Sequence, residues 1–533
     1  MRQADFRLLN IIAPMQNTDH FPERQSESET TDYVAQFRMS DRYRLVSQGV
    51  FNYGGQIASI LSSLVLVPFM LARLGAEAYG FWIVALATPA FVAGLDSALS
   101  LAVTRESALH HDASRINDES TSSFLSACCG VYLVLGVLSG LFIVATGVKV
   151  APHLHLSPTL QGAAPTVFAA VAIGFVAGRG STFASAVLAG FQRFGTINVI
   201  SVGALICRFS GFVLLLMRHA SLDAIALWYA AVALAECLVG LSYAYRLGAV
   251  RSDRSLLQWR RLIRSVEFGL SSFLTTELLN LCNFGPAILI GLLGGGARAT
   301  MTLYAGQRPS YIVSELNWRG GEVLFSESSS QEMRKGHEAY AQLMVFGTTW
   351  LLAVALPLCI GIFILAPVLV SVWLRTSSPE IVAVMRLTSI GAIADALWVG
   401  PLHALWGRGL ANRVLLITSG VTASALLLNI LLIPRFGVHG AAVAITVSTW
   451  LGAIFAMIAA ARETGSPWLR SLYDSFADVA LPSVCLAIST VAVAVLLRNY
   501  PKLLLLIAIV GGGVVYTSLF LKRQRIRDGA RRA

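Results

Sequence analysis

The chain has 533 residues, of which 56% are hydrophobic and only 13% are charged, and its mean hydropathy is +0.68. Soluble proteins carry about 25% charged residues, and disordered or collagen-like chains lack this much apolar content. The sequence therefore predicts a polytopic membrane protein. Its net charge of +11 is better explained by basic loops at a membrane surface than by nucleic-acid binding.

The seven cysteines are scattered through apolar stretches, with no CxxC spacing and no histidine at ligand spacing. This pattern is typical of small core residues, so neither a disulfide framework nor a metal site is expected. The short motifs of serine hydrolases, nucleotide-binding loops and zinc proteases do not occur either. The sequence therefore predicts no catalytic residue and no cofactor.

A helix that crosses a membrane needs about 20 apolar residues, because the hydrocarbon core is about 30 Å thick. About fourteen such stretches occur, which predicts an all-α fold. The predicted spans are 46–70, 79–103, 124–148, 167–188, 200–217, 224–245, 268–293, 301–325, 343–368, 381–405, 414–433, 438–461, 479–497 and 503–520. The eighth is the least apolar, because Arg308, Glu315, Arg319 and Glu322 are costly against lipid.

Lys and Arg are unequally distributed between the two alternating sets of connections. If both termini lie inside, the inner connections hold 24 basic residues and the outer connections hold 8. Because the cytoplasmic loops of membrane proteins are enriched in Lys and Arg, both termini are expected in the cytoplasm. The residues before the first span are expected to form a polar tail, with either Met1 or Met39 as the natural start.

Two pairs of similar segments indicate an internal repeat. LARLGAEAYGFW (71–82) resembles LIGLLGGGARATMTLYAGQ (289–307), and VLAGFQRFGTINVI (187–200) resembles HALWGRGLANRVLL (403–416). Because six spans return the chain to its starting side, the two copies are expected to be parallel. The predicted organisation is a polar tail (1–44), a first six-helix lobe (45–246), an amphipathic interfacial linker (247–265), a second six-helix lobe (266–462), two further spans (463–521) and a basic tail (522–533).

Several segments resemble the bacterial polysaccharide-transporter family, the O-antigen and exopolysaccharide flippases of the multidrug, oligosaccharidyl-lipid and polysaccharide exporter superfamily. They are LGAEAYGFW, GLDSALSLAVTRESA, LAGFQRF, LAPVLVSVWL and LIPRFGVHGAAVA. The resemblance implies two lobes around a central cavity and transport by alternating access. It implies that an isoprenoid-diphosphate-linked oligosaccharide moves from the inner to the outer leaflet of the bacterial inner membrane. Membrane lipids, a polymerase and chain-length regulators are the other partners that it implies.

Three arginines within the spans, Arg179, Arg208 and Arg308, are candidates for binding the substrate. A guanidinium group stays charged and binds phosphate oxygens in a bidentate manner, so these residues suit a diphosphate. At a rise of about 1.5 Å per residue, Arg179, Arg208 and Glu236 fall at one level of the first lobe. The alternative hypothesis is that an acidic side chain neutralises an arginine and only ties helices together.

Five acidic residues in or near the spans are candidates for charge pairing or ion coupling: Asp96, Glu236, Glu277, Glu315 and Asp395. A charge at the bilayer centre needs a partner or a wet cavity. Asp96 and Glu236 are the predicted partners of the arginines. Glu236, Glu277 and Asp395 are candidates to bind a coupling proton or cation, with a salt bridge as the alternative.

Two other functions predict different sequence features. An exporter of cationic drugs should line its cavity with acids, and the embedded arginines argue against it. A membrane-embedded polysaccharide polymerase needs a long outer loop or an acidic cluster at the interface, and neither is found in the sequence. A flippase, and not an enzyme, is therefore expected.

Overall fold

In a computed structural model of the chain, the described residues are 58–110, 116, 118–250, 259–464, 468–497 and 499–532. Within these ranges, only the backbone is described at residues 95–98, 101, 259–270, 272, 323, 326–343, 464, 468–475, 477–478 and 524–532. Every regular element in them is helical, which confirms the predicted all-α fold. The predicted N-terminal tail lies outside the described residues.

Twelve α-helices follow one another in the described chain, with short 3₁₀ turns between some of them. The helix α1 covers residues 58–87 and contains a left-handed residue at Gly75, and the 3₁₀ turns Thr88–Phe91 and Ala93–Asp96 connect it to α2. The others are α2 (Ser97–Ala108), α3 (Glu119–Val150), α4 (Pro158–Gly190), α5 (Phe194–Met217), α6 (Leu222–Arg246), α7 (Trp259–Leu293), α8 (Gly296–Trp373), α9 (Pro379–Gly407), α10 (Ala411–Thr464), α11 (Trp468–Leu496) and α12 (Pro501–Arg532).

The start of α3 is fixed by a polar cap ahead of its apolar stretch. The carboxylate of Asp118 accepts hydrogen bonds from Thr121 Oγ1 at 2.6 Å and from the Thr121 amide at 2.9 Å. These bonds, with that of the Thr121 side chain first, hold the pKa of Asp118 below its usual value. Because a carboxylate satisfies the free N–H groups at a helix start, α3 begins at Glu119 and so precedes the predicted span.

Eleven helical segments of the described chain are long and apolar enough to cross a membrane. The predicted number of about fourteen is thus approximate, and the differences have physical causes. The first predicted span and the start of the second form one segment, Ala58–Phe91, and the 3₁₀ turns leave the rest of the second as α2, which is only 12 residues long. The eighth is too charged to qualify by composition, and the eleventh and twelfth are joined within α10.

The element α8 comprises 78 residues, but it is not one straight helix, because its two halves lie against each other. A Cβ added at Gly320 would overlap Leu351, and one added at Gly347 would overlap Leu324. The earlier residue of the first half contacts the later residue of the second half, and the later residue contacts the earlier one, so the chain reverses its direction between the halves. The element therefore comprises two antiparallel segments, which correspond to the eighth and ninth predicted spans.

Left-handed backbone positions recur at a constant spacing and support the predicted duplication. Positive φ angles occur at four first-lobe positions and again 217 to 220 residues later in the second lobe. The pairs are Gly75 with Gly295, His155 with Arg375, Gln192 with Gly409, and His219 with Gly437. A left-handed residue marks the point where a helix ends and the chain turns. The same turns therefore occur in the same order in both lobes.

The most buried helices of the two lobes, α4 and α9, also occupy equivalent places in this order. Their most apolar stretches are 50% and 67% buried, respectively. Glycines allow the close approach of their neighbours, since a Cβ at Gly174 of α4 would overlap Tyr229 and one at Gly400 of α9 would overlap Thr348. Small residues at such contacts are how membrane helices gain packing energy. Each lobe is thus built around one central helix.

Sidedness is tested by reporter fusions. Alkaline phosphatase fused after Arg260 or Arg525 should be inactive and green fluorescent protein at the same points fluorescent, because the bias in basic residues places these points in the cytoplasm. The pattern should reverse after Arg218, which the same bias predicts to lie in an outer loop. Active phosphatase at Arg525 would contradict the proposed orientation.

Candidate substrate cavity

A cavity of about 430 Å³ lies between the two lobes and is called the central cavity below. Side chains of α1, α5 and α6 form its first-lobe wall, and side chains of α7 and α8 form its second-lobe wall. Most of the lining is apolar or aromatic. The polar side chains on the wall are Ser63, Tyr79, Arg208, Tyr229, Asn283, Tyr304, Gln307, Arg308, Tyr311 and Glu315.

Arg308 comes from the second lobe and reaches across to the first. Its Nη2 donates a hydrogen bond to Ser63 Oγ at 2.7 Å, and its Cζ lies 5.2 Å from the centre of the Tyr311 ring. No carboxylate of the described residues lies within ion-pair distance of it, and its Nε has no acceptor there. The guanidinium is thus held by a neutral hydroxyl and an aromatic face, which leaves its charge available for an anion.

Arg208 lines the same cavity from the first lobe, on α5. Its Nη2 lies 3.5 Å from Glu236 Oε2 on α6, and its Cζ lies 5.3 Å from the Tyr229 ring centre. Both side chains of the pair are partly exposed, at 31% for the arginine and 21% for the acid. Arg208 is thus compatible with both hypotheses. It forms an ion pair with Glu236, as the helix-tying hypothesis requires, and it also faces the cavity, as substrate binding requires.

Arg179 has a different place, between helices of the first lobe. Its Nη1 donates to the carbonyl oxygen of Ala93 at 2.8 Å, and its Cζ lies 4.4 Å from the Phe175 ring centre. It is not part of the lining of the central cavity. This geometry favours the alternative hypothesis, in which the arginine ties helices together. The side chain of Asp96, its predicted partner, lies outside the described residues.

Glu277 of α7 contacts the same 3₁₀ turn from the second lobe. Its Oε2 accepts a hydrogen bond from the Gly94 amide at 2.5 Å, and a Cβ added at Gly94 would overlap this carboxylate. The turn is thus held by Arg179 on one side and Glu277 on the other. A carboxylate in this position connects the lobes and does not line the central cavity.

A second cavity of about 420 Å³, the second-lobe cavity, lies among α7, α8, α9 and α10. Asp395 lines it and is only 6% exposed; its Oδ1 accepts a hydrogen bond from Trp398 Nε1 at 2.8 Å. Its Oδ2 is buried without a hydrogen bond in the described structure. Glu315 lines both cavities, and its Oε2 is likewise buried without a partner there.

The two cavities share part of their walls, namely Asn283, Gln307, Tyr311 and Glu315. This arrangement explains why the first half of α8 is poor in apolar residues. Arg308 faces the central cavity, and Arg319 and Glu322 face the second-lobe cavity, where they form an ion pair with 2.8 Å between Nη1 and Oε1. The charges that would be costly against lipid on every side therefore lie on cavity walls, where the side chains of Arg319 and Glu322 are 46% and 58% exposed.

Beyond the central cavity, the part of α1 that follows Gly75 lies against the start of α8. A Cβ added at Gly80 would overlap the carbonyl group of Ala297, so the two backbones are in contact there. Close by, Arg298 Nη2 lies 3.5 Å from Glu77 Oε2. The absence of a side chain at Gly80 is what allows the lobes to meet at this point.

Sequence analysis missed the aromatic side chains of the central cavity. Tyr79 and Tyr304 meet edge to face across the lobes, with 6.2 Å between ring centres, and Tyr229 and Tyr311 lie against the two arginines. A weak signal was present in the spacing of Arg308 and Tyr311, because residues three apart share a helix face. The prediction that all cysteines are core residues is wrong for Cys207, which is exposed.

Comparison with known proteins gives a consistent result for the fold. The sequence model of the lipid II flippase MurJ family matches residues 321–511. No curated protein sequence matches the chain. The solved structure of a lipid II flippase MurJ in an inward closed conformation superposes with a TM-score of 0.68 at 12% identity, covering 91% of this chain and 99% of that one.

Two further structures belong to transporters of the MOP superfamily. One is an inward-facing multidrug resistance MATE family transporter, with a TM-score of 0.59 at 14% identity over 78% of this chain and 94% of that one. The other is a transporter from Pyrococcus furiosus, with a TM-score of 0.51 at 14% identity over 79% and 93% of the two chains. The chain therefore has the fold that the MurJ lipid II flippase shares with the MATE multidrug transporters.

Proposed function

We propose that the chain is a flippase that carries an isoprenoid-diphosphate-linked oligosaccharide from the inner to the outer leaflet of a bacterial inner membrane, by alternating access of its two lobes. The observation that carries this proposal is that one arginine from each lobe, Arg208 and Arg308, lines the same cavity. Two guanidinium groups that face one enclosed space suit a ligand with two adjacent phosphate groups. The likeness to a family named for flipping lipid II adds support for a lipid substrate.

The surroundings of the arginines are suited to binding and release. Each guanidinium lies beside a tyrosine ring; an arriving diphosphate would replace a hydroxyl at Arg308 and would compete with the Glu236 carboxylate at Arg208. Because the cavity wall contains atoms from both lobes, a movement of the lobes apart separates Arg208 from Arg308. Separation weakens bidentate binding and favours release on the far side.

The second-lobe cavity is the proposed place of ion coupling. Asp395 and Glu315 each have a carboxylate oxygen without a hydrogen bond in the described structure, and hydroxyl groups of Ser310 and Thr388 lie on the same wall. Oxygen atoms of this kind bind a proton or a small cation. Since Glu315 also lines the central cavity, its charge acts directly on the arginine region.

A multidrug exporter of the same fold is the second candidate function, favoured by the apolar and aromatic wall of the central cavity. Aromatic faces such as Trp82 and Tyr304 attract organic cations. The two arginines oppose it, because like charges repel in an enclosed site of low dielectric constant. We therefore prefer an anionic substrate. That the substrate belongs to O-antigen, capsule or exopolysaccharide synthesis, and that a polymerase and chain-length regulators are partners, remain predictions.

The purified protein should bind farnesyl diphosphate and not farnesol, because the diphosphate is the group that the arginines recognise. In vesicles, it should also expose all of a fluorescent nitrobenzoxadiazole-labelled geranylgeranyl diphosphate to external dithionite, whereas protein-free vesicles expose about half. Tryptophan fluorescence reports binding, and dithionite quenching reports transport. Ethidium serves as the comparison ligand. Uptake of ethidium without movement of the diphosphate lipid would favour the multidrug exporter and reject the flippase.

A further inference from the structure

The first helix, α1, contains a proline that leaves one carbonyl group without its helical partner. Pro68 has no N–H group, so the carbonyl oxygen of Leu64, four residues earlier, receives no hydrogen bond from it. This oxygen accepts a hydrogen bond from the indole Nε1 of Trp373 at 2.7 Å. Trp373 is the last residue of α8, in the second lobe. A side chain of the second lobe thus supplies the donor that the first lobe lacks.

The same compensation occurs a second time, within the second lobe. Pro367 of α8 releases the carbonyl oxygen of Phe363, which accepts a hydrogen bond from Arg386 Nε at 3.2 Å. No water is available in the hydrocarbon core of a membrane, so a released carbonyl group needs a donor from the protein. Of these two bonds, that of Trp373 connects the lobes. It depends on how the lobes lie relative to each other, whereas the bond of Arg386 stays within one lobe.

Other contacts hold the same stretch of α1 against the second lobe. Ser63, the residue before the released carbonyl group, accepts the hydrogen bond from Arg308 at 2.7 Å. Neighbouring apolar residues of α1 belong to one buried cluster with residues near the end of α8. Where α1 continues beyond its turn at Gly75, the backbones of Gly80 and Ala297 are in contact. The lobes are therefore closed against each other at the side where α1 turns, which the bias in basic residues predicts to be the outer side.

We infer that Trp373 acts as a clasp between the lobes, which keeps them closed at this side through its bond to the carbonyl group that Pro68 releases. Apolar contacts alone hold the lobes weakly, because lipid tails are as apolar as the side chains that they replace. The released carbonyl group differs, since it has no donor in lipid once the indole moves away. Its loss of a partner therefore opposes separation, and Pro68 cannot supply the missing N–H group. The inference rests on alternating access of two lobes and on no particular substrate, so it applies to both candidate functions.

The test measures how often the closed side opens. Ala297 is only 1% exposed at its contact with Gly80, so a cysteine placed there reacts with a water-soluble methanethiosulfonate only while the lobes are apart. The native cysteines that are not buried are first replaced by alanine. In Trp373→Phe, which keeps an aromatic ring and loses the N–H group, the reaction rate at Ala297→Cys should rise at least about fivefold. The rate follows the open population even where that population is small.

Pro68→Ala is the decisive partner variant, because it gives the carbonyl group of Leu64 a helical N–H donor four residues later. In this background Trp373→Phe should change the reaction rate by less than about twofold, since the carbonyl group no longer depends on the indole. Trp228→Phe is the matched control. The Nε1 of Trp228 also donates to a backbone carbonyl oxygen, that of Cys207 at 3.1 Å, but within the first lobe. Its loss should leave the reaction rate within about twofold of the rate without this substitution.

The outcomes separate the clasp from the proposed function. Equal reaction rates before and after Trp373→Phe would overturn the inference. A rise that persists in the Pro68→Ala background would overturn it as well, because the lost packing of the ring, and not the lost donor, would then be the cause. If Trp373→Phe alone does not fold, adding Pro68→Ala should restore folded protein, and failure to do so would contradict the clasp. Failure of farnesyl diphosphate to bind would instead reject the proposed flippase and leave these reaction rates as they are.

Discussion

Arg308→Ala should abolish transport of the labelled diphosphate lipid and leave the amount of folded protein nearly unchanged. The arginine forms no ion pair among the described residues, so its removal breaks no ion pair. Loss of one charged partner from a buried charge pair costs about 2–5 kcal/mol, which corresponds to a loss of roughly 30-fold or more in transport. The measurement is the rate of dithionite-accessible lipid per folded molecule.

Two further variants make the result specific for Arg308. Arg308→Lys should recover only part of the rate, because an ammonium group offers a point charge where the guanidinium offers a planar pair of donors. Arg218→Ala removes a charge from an exposed position between α5 and α6 and should transport like wild type. Wild-type transport by Arg308→Ala would rule out a substrate contact at this residue.

Arg208→Ala should also give inactive protein, but here the partner acid must be treated with it. The single variant leaves Glu236 without its cation, and a partly buried unpaired carboxylate destabilises the helices around it. Arg208→Ala with Glu236→Gln removes both charges and should restore the yield of folded protein. If Arg208 binds the substrate, this double variant stays inactive per folded molecule.

The opposite outcome has a clear meaning. Full transport by the double variant would show that the pair only ties α5 to α6. Glu236→Gln alone is the informative complement, because it keeps Arg208 in the central cavity and removes its competitor. Its affinity for farnesyl diphosphate should rise by a few-fold, since the diphosphate no longer displaces an acid from the guanidinium group.

The sequence predicted the helical spans well because hydrophobic length follows from the thickness of the bilayer. It could also place Arg208 and Glu236 at one height, and they do form a pair. Height alone does not tell in which direction a side chain points around its helix. Arg179 therefore appeared equivalent to Arg208 in the sequence, although it contacts Ala93 and Phe175 inside the first lobe.

Other features depended on contacts between distant segments, which no local pattern contains. The second-lobe cavity combines side chains of four helices, and the shared wall around Glu315 arises only when the lobes are packed. An apolar groove between α5 and α6 was also not predicted, because both helices appear in the sequence as ordinary apolar spans.

The repeated left-handed turns have a consequence for how a substrate is oriented. At the spacing of these turns, the counterpart of Arg308 in the first lobe is Thr88, and that of Arg208 in the second lobe is Ala425 or Leu426. The backbone turns are thus repeated in the two lobes, whereas the two cavity arginines have no charged counterpart at the equivalent positions. A strictly twofold cavity would accept an elongated molecule equally well in either sense. With unmatched arginines, this one distinguishes the two ends of its ligand, which fixes the end of an elongated molecule that lies against each lobe.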